Sequence, residues 1–179
     1  MPASSLLHVQ LMPASANQLR LLLHAPERFE ALQGIRPEPH FCGQAETLPF
    51  FLERLELGGE PPEWWLHLVI LPEQLELHPA RLVGTAGFRG SPDADGWVEL
   101  GYEIAPFWRG RGLATEVTRQ LLVRAFADPR VRGVQAHTEA LRGASATVLK
   151  RNQFVSVGRV EHPTDGVLWG WQRLRSADP

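Results

Sequence analysis

Between residues 97 and 127 the spacing of apolar side chains changes once, and the change divides the stretch into three parts. Trp97–Ile104 alternates: Val98, Leu100, Tyr102 and Ile104 fall on one side, Glu99, Gly101 and Glu103 on the other. A period of two predicts a half-buried strand. Ala105–Gly112 follows with one proline, two glycines and two arginines, the composition of a turn. From Leu113 apolar residues return at helical spacing. Leu113, Val117, Leu121 and Ala125, with Ala114, Leu122 and Phe126 beside them, form one stripe. Thr115, Glu116, Arg119, Gln120 and Arg124 are then free to face away from it.

The same reading along the rest of the chain predicts a strand-rich start and a β-α-β-α-β-β end. Leu6, Leu7, Val9 and Leu11 mark a first strand within Met1–Pro13, and Ala14–His24 a helix capped by Ser15 or Asn17. A short helix fits Glu27–Gln33. Gln44–Leu57 is a further helix, bent at Pro49 and ended by Gly58-Gly59. Trp64–Leu71 is an apolar run short enough for a central strand. Pro72–Pro79 returns the chain to a strand over Arg81–Arg89, where Gly84 and Gly87 leave room for a ligand or a neighbouring backbone. Asp93–Gly96 is a turn, Gly133–Glu139 a strand and Ser145–Asn152 a helix. Phe154–Val160 and Val167–Leu174 pair as a hairpin through His162–Gly166. With no repeat or low-complexity linker, residues 1–179 are expected to form one domain, an α/β (α+β) fold with a mixed sheet and helices on both faces.

The turn before Leu113 has the chemistry of an anion site. The first N–H groups of a helix lack partners within it, and its dipole puts partial positive charge there. Gly110 and Gly112 let a ligand reach the backbone, and Arg109 and Arg111 add forked donors suited to phosphate oxygens. Arg109-Gly110-Arg111-Gly112-Leu113-Ala114 therefore reads as a pyrophosphate cradle. It is not a Walker loop, which needs Lys and Ser or Thr where Leu113-Ala114 stand. Nor is it the dinucleotide fingerprint, whose third glycine is Thr115 here.

The spacing matches another pattern. Arg109, Gly112 and Ala114 meet the acyl-CoA signature of Gln or Arg, two residues, Gly, one residue, then Gly or Ala. In this the chain resembles the GNAT (Gcn5-related N-acetyltransferase) superfamily. Glu99-Leu100-Gly101-Tyr102 before the turn and Ala114-Thr115-Glu116 after it look like the branch that acetylates N-termini of ribosomal proteins. Ala144-Ser145 and Val148-Leu149 fall where that branch carries a signature helix. The resemblance covers residues 80–175 well and the N-terminal half only in general layout.

The resemblance implies a GNAT fold, with a mostly antiparallel central sheet and a splayed strand pair, and acetyl-CoA as co-substrate without a metal. The pyrophosphate would rest on the amides of Gly110, Arg111, Gly112, Leu113, Ala114 and Thr115, next to Arg109. The pantetheine arm would run along the strand ending at Ile104, which in the family is bulged and splays from the next strand, here Gly133–Glu139. A backbone N–H near Leu100–Ile104 would polarise the thioester carbonyl. A primary amine, small-molecule or a peptide N-terminus, would attack directly in a ternary complex. Glu99 and Glu103 are the candidate bases, and Glu99 matches the branch's glutamate. Either would serve equally as a solvated strand carboxylate.

Many family members protonate the leaving thiolate with a tyrosine, but Leu149 holds that position and Tyr102 is the chain's one tyrosine. Ser145 is the implied substitute, unless it is only a local helix cap. Arg142 stands for the branch's asparagine and Gln153 for the glycine before its phenylalanine. His137 is a lesser candidate base.

Charge and composition remove other classes. A net charge of −2 argues against a polyanion-coating protein, so no nucleic acid is expected. The six tryptophans, Trp64, Trp65, Trp169 and Trp171 among them in predicted strands, read as core or groove wall. A single cysteine, Cys42, excludes an intrachain disulfide, and the histidines lack metal-ligand spacing. No apolar run is long enough to span a bilayer and no signal segment leads the chain, so a cytoplasmic protein is expected. A homodimer stays open. The rival reading is a non-catalytic acyl-CoA-binding or sensor domain of the same fold, which the missing tyrosine favours.

Overall fold

A computed structural model describes residues 8–42, 45–73 and 79–176. The strands are β1 (Gln10–Pro13), β2 (Ile35–Pro37), β3 (Leu66–Leu71), β4 (Ala80–Phe88), β5 (Trp97–Ile104), β6 (Gly133–Thr138), β7 (Val155–His162) and β8 (Gly166–Leu174). The helices are α1 (Ala16–His24), α2 (Pro26–Gln33), α3 (Thr47–Leu57), α4 (Leu113–Ala127) and α5 (Ala144–Arg151). One mixed sheet runs β1-β3-β4-β5-β6-β8-β7 and is antiparallel except at β5–β6; β2 joins β4 in parallel.

Two apolar layers sandwich the sheet. Leu66, Leu68, Ile70 and Leu82 meet Leu19, Leu22, Phe29 and Leu48 of α1–α3 on one face. On the other, Val69, Phe88, Val98, Leu100 and Ile104 meet Leu113, Val117 and Leu121 of α4 and Leu149 of α5. β3 is buried at every position, as its unbroken apolar run requires. His67 within it is fully buried, and that burial, aided by the charge of Arg124, lowers its pKa to about 4.

Gly84 and Gly87 are where small residues are needed: a Cβ at either would lie 2.2 Å from the Glu103 carbonyl oxygen or 2.1 Å from that of Trp65. Next to Gly84 the ladder slips, because Val69 pairs Gly84 while Ile70 pairs Leu82, leaving Val83 as a bulge residue.

Several sequence expectations change. Ser15, not Asn17, caps α1, in a capping box with Gln18. The beginning of the first predicted strand, Gln44 and most of Pro72–Pro79 lie outside the described residues. Pro49 falls in the first turn of α3, where its missing N–H has no intrahelical partner to lose, so it need not bend the helix. Trp64 closes a 3-10 turn (Pro62–Trp64) and β3 starts only at Leu66, because Pro61-Pro62 set the turn. β2 is an addition, three residues long with Pro37 at its end, too short for alternation to reveal. Gln120 and Arg124 do not simply face solvent: they donate to the carbonyls of Val9 and Leu11, each across 2.9 Å, and tie α4 to the first strand. Among the described residues no helix is long and apolar enough to cross a membrane.

Candidate acetyl-transfer site

β5 ends at Ile104, and a 3-10 turn (Pro106–Trp108) leads to Arg109 in extended backbone. Gly110 and Gly112 follow at φ 74° and 81°, a left-handed conformation that favours glycine. Gly112 is the N-cap of α4; its carbonyl accepts the first helical bond, from Glu116, and among the described residues no side chain caps the helix. The N–H groups of Leu113, Ala114 and Thr115 thus have no acceptor within the helix. A Cβ built on Gly110 or Gly112 would meet nothing within 4 Å, so the backbone of this turn is uncovered there. Leu113 puts its side chain in the core and leaves only its amide to the site.

Both arginines are anchored to the turn. Arg109 Nε donates to the Ile104 carbonyl across 2.8 Å, and one terminal nitrogen lies 3.8 Å from Glu103 Oε1. Arg111 lies over the rings of Phe107 and Trp108, 5.1 and 5.0 Å from their centroids. A cleft of about 380 Å³ beside the turn is lined by Glu38, Arg81, Phe107 and Trp108, with Arg81 ion-paired to Glu38.

The slot lies along β5. β5 and β6 pair only over Trp97–Glu99 and Gly133–Gln135, after which the two strands part. On the β4 side the Glu99 carbonyl accepts from the N–H of Arg89, just past that strand, and the Ala105 N–H donates to the Val83 carbonyl. Strand alternation then turns the backbone groups of Leu100, Tyr102 and Ile104 toward the gap. The register of β5 on β4 is unbroken from Leu100 to Ile104, so the expected bulge is not there; it sits in β4, at Val83. Glu99 and Glu103 accordingly share a face.

Across the slot stands α5. Ser145 is exposed in its first turn, and Tyr102 donates its hydroxyl hydrogen to the Ser145 carbonyl over 3.3 Å. Burial raises the Tyr102 pKa to about 12, so the phenol stays protonated at neutral pH. Leu149 is buried in the core and Arg142 is exposed.

Glu99 is the hub of a cluster that sequence reasoning missed. Its Oε1 lies 3.1 Å from Arg89 Nε, 3.3 Å from His137 Nδ1 and 3.3 Å from His162 Nε2. His162 is buried at the end of β7, and its Nδ1 is 2.9 Å from Asp165 Oδ2 in the hairpin turn. The two imidazoles meet edge to face, centroids 4.9 Å apart. The donor atoms of Glu99, His137 and His162 lie within 4.8 Å of one another, close enough to hold a metal. A permanent guanidinium charge on the same oxygen opposes a cation there. Of these residues only Glu99 and His137 were candidates. His162 and Asp165 sit in a hairpin turn 63 and 66 positions past Glu99, and only the order β6-β8-β7 brings them back.

Comparison with known proteins places the family and the fold. A family model described as an acetyltransferase (GNAT) domain matches residues 20–155. YjdG of Bacillus subtilis (strain 168), an uncharacterized N-acetyltransferase, is 24% identical over 110 residues, 62% of this chain and 62% of that protein, so the match spans less than two thirds of that relative. Three solved structures share the fold. Aminoglycoside acetyltransferase AAC(6')-Ib in complex with coenzyme A has a TM-score of 0.58 at 21% identity, over 94% of this chain and 95% of that one. The microcin self-immunity acetyltransferase MccE, with acetyl-CoA and AMP, has a TM-score of 0.64 at 12% identity, over 93% and 92%. RimL, a ribosomal alpha-N-protein acetyltransferase in complex with coenzyme A, has a TM-score of 0.63 at 14% identity, over 95% and 96%. With more than half of its length matched by the family model, the chain belongs to the GNAT acetyltransferase domain family.

Proposed function

We propose that this protein transfers the acetyl group of acetyl-CoA to a primary amine, a protein N-terminus or a small molecule, by direct attack in a ternary complex. One observation carries the reading: β5 borders a slot open beyond Glu99, and the same strand runs on into an uncapped helix N-terminus behind two left-handed glycines. That matches the shape of the ligand, a diphosphate with an extended amide arm. The amides of Gly110–Thr115, with Arg109 and Arg111, would hold the phosphates. The slot-facing groups of Leu100, Tyr102 and Ile104 would pair the arm like an added strand.

Glu99, part-buried beside the base of the slot, would take the proton of the attacking amine, directly or through water. Ser145 would offer its hydroxyl to the departing sulfur. The neighbours' names, aminoglycoside and ribosomal alpha-N-protein acetyltransferase among them, support an amine acceptor without choosing one.

The test is thiol release on mixing the protein with acetyl-CoA and a panel of amines and N-terminal peptides. A second reading, a domain that binds acyl-CoA without turnover, is favoured by the buried Leu149 in place of the family's tyrosine. It predicts tight CoA binding and no thiol with any amine.

A further inference from the structure

We infer that the hairpin turn after β7 locks His162 in one tautomer, and that the locked ring sets Glu99 in place as the base by donating from Nε2 to Oε1. The inference rests on Glu99 being the base.

The lock is made of neighbouring backbone. His162 ends β7, and the turn toward β8 returns its own amides to the imidazole. The N–H groups of Thr164 and Asp165 donate to Nδ1 across 3.4 and 3.3 Å, and Thr164 Oγ1 lies 3.2 Å from the same nitrogen. A backbone N–H can only donate, so Nδ1 presents its lone pair and the proton of the neutral ring sits on Nε2. The Asp165 carboxylate, 2.9 Å from Nδ1, is a neighbour there and not an acceptor; Arg89, 3.5 Å from the same oxygen, offsets its charge. The imidazole is only 4% exposed, so water competes little for either nitrogen.

Nε2 lies 3.3 Å from Glu99 Oε1 and is therefore a donor of fixed direction. Among the described residues, the charged or titratable groups around that carboxyl are Arg89 just past β4, His137 from β6, His162 from β7 and, behind His162, Asp165 of the turn. The His137 ring packs edge to face on that of His162, centroids 4.9 Å apart. Arg89, His137 and His162 each make their nearest contact with Oε1, which leaves Oε2 to take the amine's proton. In the transfer the amine nitrogen bonds to the acyl carbon, the C–S bond breaks, and the thiolate collects a proton from Ser145 or water. The amine's proton passes to Oε2 and then to water as products leave; His162 neither gains nor loses one.

His162 acts through Glu99 and is a positioning residue, so its test needs readouts that packing alone would not move. The first is the tautomer itself, read by nitrogen NMR of the full-length protein labelled with [15N]histidine. The ring whose signals vanish in His162→Gln is expected to carry its proton on Nε2 alone at pH 7. A proton on Nδ1, or on both nitrogens, overturns the inference. The second readout compares two variants in the thiol assay. His162→Leu fills the space without a donor, and kcat should fall about 10- to 100-fold with KM for acetyl-CoA within about twofold. Its kcat profile should also lose activity at a pH about one unit higher on the acidic side, because a donor that favoured the ionised carboxyl is gone. His162→Gln restores an N–H at about the reach of Nε2 and should recover most of the rate and the wild-type profile. Equal losses in the two variants, or an unmoved acidic limb in His162→Leu, overturn the inference. A wild type inert toward every amine removes the proposed function and this with it; an active wild type with the other tautomer, or with a fully active His162→Leu, removes this alone.

Discussion

The Arg109 guanidinium folds back onto the carbonyl of Ile104, with 2.8 Å between Nε and the oxygen. One side chain thus clasps the end of β5 to the start of the glycine turn, and one of its terminal nitrogens lies 3.8 Å from Glu103 Oε1. Arg109→Ala is expected to weaken CoA binding about tenfold by calorimetry. Arg109→Lys should recover little of it, since an ammonium cannot bond the carbonyl and a phosphate in Arg's forked geometry.

Gly112→Asp places a Cβ at φ 81° and a carboxylate where diphosphate charge is expected. Backbone strain of about 1–2 kcal/mol and like-charge repulsion act together. CoA should then give no thermal shift to a protein that still unfolds cooperatively. Undiminished CoA affinity would remove the cradle assignment.

Glu99→Gln keeps the size of the side chain and removes the base. A loss of about 100- to 1000-fold in kcat is expected, with acetyl-CoA affinity retained, in a steady-state thiol assay. Glu103→Gln should do far less, because Glu103 stands near Arg109 at the cradle end of the slot.

Burial of His67 makes stability depend on pH in a definite direction. As pH falls through 6.5 the unfolded chain takes up a proton, and the folded protein resists until about pH 4. The contribution is fully present above 6.5, falls between 6.5 and 4, and amounts to about 3 kcal/mol at 1.36 kcal/mol per pH unit. Denaturant titrations across that window should show His67→Leu losing less stability than wild type on acidification; parallel curves would refute the assignment.

Gln153 takes φ 64° one residue past the cap of α5, where Gln153 N–H bonds the Lys150 carbonyl and Phe154 N–H bonds that of Leu149. This is a Schellman ending, whose left-handed residue is ordinarily glycine. Gln153→Gly should therefore stabilise the fold by about 1 kcal/mol in chemical denaturation. A neutral or negative result would mean that the Gln153 side chain makes up the strain.

What the sequence made legible was local. Alternation in Trp97–Ile104, helical spacing from Leu113 and the glycine pair between them predicted the strand, the turn and the helix where they stand. The Schellman ending also explains why a glycine-phenylalanine pair belongs after that helix, with Phe154 buried in the core. The partners of Glu99 were not legible. His162 and Asp165 reach it only because the hairpin inserts β8 beside β6 and leaves β7 outermost. Arg89 reaches it only through the antiparallel return of β4 and β5. The N-terminal elements were read coarsely because prolines at 37, 49, 61 and 62 set their bounds more than hydrophobic period did.

Val83 has a consequence for how the chain tolerates length changes. Leu82 belongs to the layer under α1–α3, whereas Val83, Ala86 and Phe88 belong to the layer under α4. The surplus residue is a half-step in phase: even-numbered Leu82 before it faces one layer, and even-numbered Ala86 and Phe88 after it face the other. Removing Val83 would force one half of β4 to exchange its inward and outward sets, so a single-codon deletion there should be far more damaging than any replacement of its side chain.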